Sequence, residues 1–228
     1  LLLRLSSFES SMFHNTQVAG NKRGSLILLF SSRRRVLRYV ACILMGVPIW
    51  YSVGLLITLS PEIAREHHID GLKLSTCFIL FQVGITCGDL LSGVVTQLLQ
   101  SRKTVLLGFM PLGVLATVWH FVRIGNSMPL YVTSLLMGLG CGYLSVFVTA
   151  TAEHFGINLR VTVTATVTNF MRGAVVLLIP FHQWVQQVAG LSLTGGLAIT
   201  AACVWALALL SAIALPDTFG KSLAYTEE

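Results

Sequence analysis

Two charged residues, Asp89 and Arg172, lie inside long apolar stretches of this 228-residue chain. A charge at bilayer depth costs at least about 2.5 to 3.5 kcal/mol, so such residues usually face a cavity or a partner. A carboxyl group such as that of Asp89 can carry a proton, whereas the planar guanidinium of Arg172 matches an anionic group such as a carboxylate. Counted along their helices, the two residues lie at depths that agree within about one turn. We therefore predict that they bind substrate or form a gating pair, with a structural role as the alternative.

Four further polar or aromatic residues fall near the middle of apolar stretches, and we predict that they line a substrate path. They are Tyr51, Gln82, Tyr143 and Asn169. The alternative for each is a hydrogen bond or a packing contact between helices, which polar side chains often make inside membranes.

The sequence contains no catalytic constellation, so we expect no enzymatic activity. The motifs G-x-S-x-G, H-E-x-x-H and G-x-x-x-x-G-K-[ST] are absent. Asp89 has no companion acid at its depth that would complete an aspartyl dyad. The five cysteines lie in apolar runs without C-x-x-C spacing, which favours buried thiols over a metal site. We expect neither a metal nor a cofactor.

The composition places these residues in a membrane protein. Hydrophobic residues make up 54% and charged residues 11% of the chain, and its mean hydropathy is +0.78. A soluble domain carries about 25% charged residues. This excludes an ordinary cytosolic enzyme, a disordered tail and a nucleic-acid binder, and it makes the lipid bilayer a partner. The net charge of +6 is then a signal of membrane orientation.

Six stretches reach the roughly 20 apolar residues that cross a bilayer. They are 36–59, 74–99, 104–122, 128–152, 161–188 and 191–215. They are too long for barrel strands and do not alternate polar with apolar residues, so they predict helices. The fold class is therefore an all-α polytopic membrane protein.

The chain divides into three regions. We predict a cytoplasmic linker over 1–35, a six-helix transmembrane domain over 36–215 and a cytoplasmic tail over 216–228. With the N-terminus inside, eleven of the fifteen Lys and Arg residues lie on the inner side and three on the outer side. The positive-inside rule therefore places both termini in the cytoplasm. The run 25–30 is predicted as a short amphipathic piece on the inner leaflet, with a plain solvated linker as the alternative.

Small residues at four-residue spacing predict a close contact between two helices. Gly84, Gly88 and Ser92 lie on one face of the second span, and Gly138 and Gly142 lie on one face of the fourth.

Three segments then carry a resemblance to a known family. The loop 93–103 is similar to G-x-L-x-D-R-x-G-R-K through Gly93, Arg102 and Lys103, with Gln97 and Gln100 departing from it. The segment 152–162 is similar to E-x-F-G-x-x-x-R-x-T, with matches that include Glu153 and Arg160. The tail 215–223, LPDTFGKSL, is similar to L-P-E-T-x-G-K-x-L. The chain thus resembles the C-terminal half of a major facilitator superfamily transporter, of the bacterial sugar and organic-ion porter type.

This resemblance implies a porter of two six-helix halves that rock about a substrate site between them. It implies a second six-helix half as partner, and we expect this chain to be part of a longer protein. A cytoplasmic gating motif would comprise Gly93, Arg102, Lys103, Glu153 and Arg160. We expect proton-coupled symport of a small polar metabolite or organic anion across a bacterial inner membrane. The alternative is a non-transporting six-helix fragment or a membrane assembly subunit.

Overall fold

The computed structural model describes residues 26–220. Its α-helices are α1 Leu26–Phe30, α2 Arg33–Tyr51, α3 Ser60–Glu66, α4 Leu74–Leu99, α5 Arg102–Val122, α6 Ser127–Cys141, α7 Leu144–Glu153, α8 Ile157–Ala189 and α9 Leu193–Ala214. A π-helical segment, Ser52–Ile57, continues α2. Within 26–220 an isolated bridge between Ile124 and Asn126 is the only extended pairing. Most of the predicted linker and the end of the predicted tail lie outside the described residues.

Six helical stretches of the described chain are long and apolar enough to cross a bilayer. They are Arg33–Ile57, Leu74–Leu99, Arg102–Val122, Ser127–Glu153, Ile157–Ala189 and Leu193–Ala214. The shortest has 21 residues, which extend about 31 Å against a hydrocarbon layer of about 30 Å. The six predicted spans are thereby confirmed as helices, and the all-α polytopic membrane fold with them.

Four of the six helices begin earlier than the apolar runs that predicted them. The first span begins at Arg33, inside the predicted linker, and the fifth begins at Ile157 rather than at 161. Polar and basic residues continue a helix beyond the hydrocarbon layer because their side chains reach water there. The run predicted as an amphipathic piece forms α1, which packs against α2.

The small residues of α4 and α6 bring the two backbones together, as the spacing predicted. A Cβ atom added at Gly84 would lie 2.2 Å from the carbonyl oxygen of Leu135, and one added at Gly88 would lie 2.5 Å from that of Leu139. Ser92, on the same face of α4, is fully buried. The α4–α6 contact is therefore a backbone-to-backbone contact that tolerates no side chain at these glycines.

The six spans differ greatly in how much of their surface the chain itself covers. Helix α2 and its π segment are the most covered, with 61% of the apolar window buried, because α2 packs against both α8 and α9. Helices α4 and α8 have only 22% and 17% buried. These two helices therefore present most of their surface to whatever surrounds the chain.

The two ends of the bundle carry different connections. We define the motif end as residues 101–103, 153–160 and 215–219, together with the first turns of α2. Arg38 of α2 belongs to it, because its guanidinium donates to the carbonyl oxygen of His154 at 2.7 Å. The opposite end, which we call the distal end, holds α3 and the connection between α8 and α9. At the distal end the carboxylate of Glu66 accepts from the backbone N–H of Thr194 at 2.9 Å and from the Thr194 hydroxyl.

Candidate functional site

A cavity of about 480 Å³ lies between α2 with its π segment, α4 and the start of α7. Its walls are mostly aromatic and aliphatic, and they carry a small polar group of side chains. The aromatic residues are Trp50, Phe78 and Phe81, and the polar residues are Gln82, Thr86, Asp89 and Ser145. A concave apolar site with few polar groups is the usual form of a small-molecule site.

The fourth span is broken where it meets this cavity. Helix α6 ends at Cys141, Gly142 and Tyr143 are not helical, and α7 begins at Leu144. A Cβ atom added at Gly142 would lie 2.4 Å from the Cα of Gly88, so only glycine fits between the helices here. The break exposes the N-terminus of α7, whose first N–H groups have no partner within the helix.

Asp89 supplies that partner. One carboxylate oxygen, Oδ1, accepts from the backbone N–H of Ser145 at 2.9 Å and from the Ser145 hydroxyl at 3.3 Å. A carboxylate at a helix N-terminus is stabilised by the helix dipole. No described residue donates to the second oxygen, Oδ2, and Asp89 is only half-buried beside the cavity. Asp89 therefore holds α7 with one oxygen and leaves the other open.

Arg172 does not pair with Asp89 within the described part of the chain. It is exposed on α8, and its guanidinium lies 4.7 Å from the centre of the Trp50 ring. A cation over the face of an indole is attracted by the ring quadrupole. Asp89 and Trp50 line the cavity and Arg172 does not. Of the two predicted charges, Asp89 therefore lines the cavity directly, whereas Arg172 contacts a residue of its wall.

The other two exposed candidates also face away from the core. Gln82 lines the cavity, one turn of α4 from Thr86. Asn169 is exposed on α8, three residues from Arg172, and its side-chain amide donates to the carbonyl oxygen of Ala165 at 2.9 Å. The hydroxyls of the threonines that precede it on α8 donate to backbone carbonyl oxygens four residues earlier in the same helix. Asn169 and Arg172 thus form a polar strip on the least buried helix.

Tyr51 and Tyr143 make hydrogen bonds between helices, which was the alternative to lining a substrate path. Both are fully buried and neither lines the cavity. The Tyr51 hydroxyl donates to the carbonyl oxygen of Leu197 at 2.6 Å, and the Tyr143 hydroxyl donates to that of Met45 at 3.1 Å. The two tyrosines therefore join helices inside the bundle.

Two of the five predicted gating residues, Arg102 and Glu153, belong to a connected cluster at the motif end. Arg102 pairs with Glu153 at 3.2 Å, and both side chains are largely buried. The Thr218 hydroxyl donates to Glu153 at 2.7 Å, and the guanidinium of Arg102 lies 5.2 Å from the centre of the Phe219 ring. This cluster ties together the α4–α5 connection, the end of α7 and the segment after α9.

Asp217 completes the cluster, and the sequence reasoning did not single it out as a site residue. Its carboxylate accepts from the Ser101 hydroxyl and from the backbone N–H of Arg102 at 3.1 Å. Partial burial raises the pKa of Asp217, but the bonds from Ser101 and from nearby backbone N–H groups outweigh it and hold the pKa below its ordinary value. The position of Asp217 in the LPDTFGKSL tail was the available signal.

The remaining gating residues act on backbone carbonyl groups or stand apart. Lys103 donates to the carbonyl oxygens of Ile213 and Leu215 at 2.6 and 2.8 Å, which satisfies the end of α9. Arg160 donates to the carbonyl oxygen of Ala152 at 3.0 Å. A Cβ atom added at Gly93 would meet nothing within 4 Å, so Gly93 is not part of the cluster.

Within residues 26–220, no group of three His, Cys, Asp or Glu side chains is arranged to hold a metal ion. Comparison with known proteins adds no identification, since no family model and no curated protein matches the chain. The fold itself defines the class: an integral membrane protein with six apolar spans in the part of the chain that the structure describes.

Proposed function

We propose that the chain is one half of a secondary transporter for a small organic solute, working by alternating access. The motifs at the motif end support this proposal through their resemblance to the C-terminal half of major facilitator superfamily porters. A single structural observation carries it: polar and charged side chains occupy the outer faces of the two least buried spans.

These faces do not suit contact with lipid. Gln82, Thr86 and Asp89 follow one another along α4, and Asn169 and Arg172 along α8, all well inside helices that are long and apolar enough to cross a bilayer. Each charge there costs at least about 2.5 to 3.5 kcal/mol if it faces acyl chains. A second six-helix half that covers both faces, with water and substrate between, removes that cost.

Irregular backbone at the cavity is a second support. The break at Gly142 and Tyr143 and the π segment Ser52–Ile57 both lie within membrane spans. Non-helical backbone is tolerated at that depth where it is buried in protein or lines a cavity. Substrate sites of transporters are commonly built from such discontinuous helices near the bilayer midplane.

We assign the motif-end cluster the role of keeping this end rigid during rocking. The Arg102–Glu153 pair and its partners Asp217 and Thr218 hold three chain segments together. The open surface at Gly93 is available to the second half. We further propose a bacterial inner membrane, because the resemblance is to bacterial porters. We place both termini in the cytoplasm, because basic residues concentrate at the motif end.

Proton coupling through Asp89 is part of the proposal. Within residues 26–220, Asp89 is the only carboxylate well inside a span, because Glu153 lies at the end of its helix. Its open Oδ2 can take a proton while Oδ1 stays bonded to Ser145. A proton gradient is therefore the driving force we propose.

The test is uptake by the full-length protein in membrane vesicles. Labelled sugars, carboxylic acids and amines are supplied with and without a proton gradient. We expect gradient-dependent uptake of one class, and Arg172→Ala reduces it to background without loss of membrane insertion. The matched control is Arg123→Ala, which removes an exposed arginine beyond the end of α5 and leaves uptake unchanged. Failure to take up any class would favour a non-transporting membrane subunit, and normal uptake by Arg172→Ala would remove Arg172 from the mechanism.

A further inference from the structure

The cavity contains one charged side chain, and its sign is negative. Among the described residues that line it, Asp89 is the only one with a full charge. Arg172 lies outside the lining, over the Trp50 ring. The sequence suggested an organic anion because Arg172 matches a carboxylate, but the cavity itself presents a carboxylate to its contents.

The open oxygen of that carboxylate is what a ligand would contact. The Ser145 N–H and hydroxyl both donate to Oδ1, and no described residue donates to Oδ2. An anionic ligand would meet unsatisfied negative charge at this point. An N–H group that carries a positive charge would form a short, charge-assisted hydrogen bond.

The walls around Asp89 match the rest of such a ligand. Trp50, Phe78 and Phe81 contribute aromatic surface, and most of the remaining lining is aliphatic. Aromatic faces attract cations and cover apolar bodies equally well. The volume of about 480 Å³ lies in the range of sites for small organic molecules.

We infer that this cavity binds an amphipathic organic cation, namely a protonated amine attached to an aromatic or branched apolar body. The ammonium group donates to Asp89 Oδ2, and the apolar body packs against Trp50 and Phe78. This inference names the substrate class of the proposed transporter and rests on that proposed function. It also links the ligand to the fold, because the same carboxylate holds the N-terminus of α7 through Oδ1.

Three probes with one ring system and different charges test this inference. They are naphthylethylamine, naphthylacetate and naphthylethanol, measured by equilibrium dialysis against the full-length protein in lipid nanodiscs, with empty nanodiscs as the blank. We expect the amine to bind at least tenfold more tightly than the acetate and the alcohol. Asp89→Asn keeps the side-chain size and an oxygen for Ser145 but loses the charge, and we expect it to weaken amine binding by about tenfold, which is about 1.4 kcal/mol.

The matched control is Asp70→Asn, the same substitution in the exposed connection before α4, which leaves amine binding unchanged. Equal binding of the three probes, preference for the acetate, or full amine affinity in Asp89→Asn would each overturn the inference. The comparison of probes on the unaltered protein requires no variant, so it decides the question even where Asp89→Asn does not fold.

The outcome is separable from that of the proposed function. Selective, Asp89-dependent amine binding without uptake of any solute in vesicles would confirm the cation site and refute transport. Gradient-driven uptake of a carboxylic acid together with no amine binding would refute the cation site and leave the transporter standing.

Discussion

The contact between α4 and α6 yields a sharp prediction about stability. Replacing Gly88 by Ala adds a Cβ atom 2.5 Å from the carbonyl oxygen of Leu139 and 2.8 Å from the Cα of Gly142. These are backbone atoms that cannot rotate away, so the two helices must move apart by several tenths of an ångström. Overpacking of this kind costs about 1 to 3 kcal/mol.

The matched control is Gly108→Ala in α5. Its added Cβ atom meets nothing within 4 Å, and alanine is favoured over glycine inside a helix by about 0.5 to 1 kcal/mol. We therefore expect Gly108→Ala to be neutral or slightly stabilising. The assay is reversible unfolding in mixed micelles with increasing SDS, followed by circular dichroism. Equal free energies of unfolding for Gly88→Ala and the unaltered protein would refute a backbone-to-backbone contact between α4 and α6.

Three further predictions concern single side chains. The pKa of Asp217 is lowered on folding, so its stabilising effect is present above the unfolded value of 3.8 and is lost as the pH falls through the lower folded value. We expect Asp217→Asn to abolish this loss of stability at acidic pH. The measurement is the SDS unfolding titration, repeated at several pH values. Asp89→Ala removes the acceptor of the Ser145 N–H, and we expect it to lower the free energy of unfolding by about 0.5 to 2 kcal/mol, as the loss of a helix cap does. It should also speed hydrogen exchange at the Ser145 amide, and unchanged exchange there would contradict this prediction. Tyr51→Phe removes the hydrogen bond to Leu197, and we expect it to lower the free energy of unfolding by about 0.5 to 1.5 kcal/mol. The KM for uptake should stay the same, because Tyr51 does not line the cavity. A large change in KM would show instead that Tyr51 lies in the substrate path.

The number and type of the spans could be read from the sequence because the solvent dictates them. In hydrocarbon the backbone must satisfy its own hydrogen bonds, so each long apolar run has one available structure. The close approach of α4 and α6 was also predictable, since Gly84 and Gly138 leave room that other residues would fill. The ends of the spans were less predictable, because basic residues such as Arg33 extend a helix into water.

The chemistry of the site depended on contacts that spacing does not encode. A depth estimate placed Asp89 and Arg172 at one level but could not show which helices touch. The hydrogen-bond partner of Asp89 is Ser145, which follows a break in the fourth span. Gly142 alone does not predict this break, because glycine is common inside membrane helices. Similarly, no pattern along the chain distinguished the buried Tyr51 from the exposed Gln82.

In the proposed transporter, the polar faces of α4 and α8 line a water-filled path. Single cysteines are introduced into the full-length protein after replacement of the five native ones, and a charged, water-soluble methanethiosulfonate is applied to membranes. We predict rapid modification of Gln82→Cys and Asn169→Cys, and no modification of Leu91→Cys and Leu177→Cys, which replace exposed apolar residues on the same two helices. Equal protection of all four positions would place the polar faces in lipid or protein and would contradict the account.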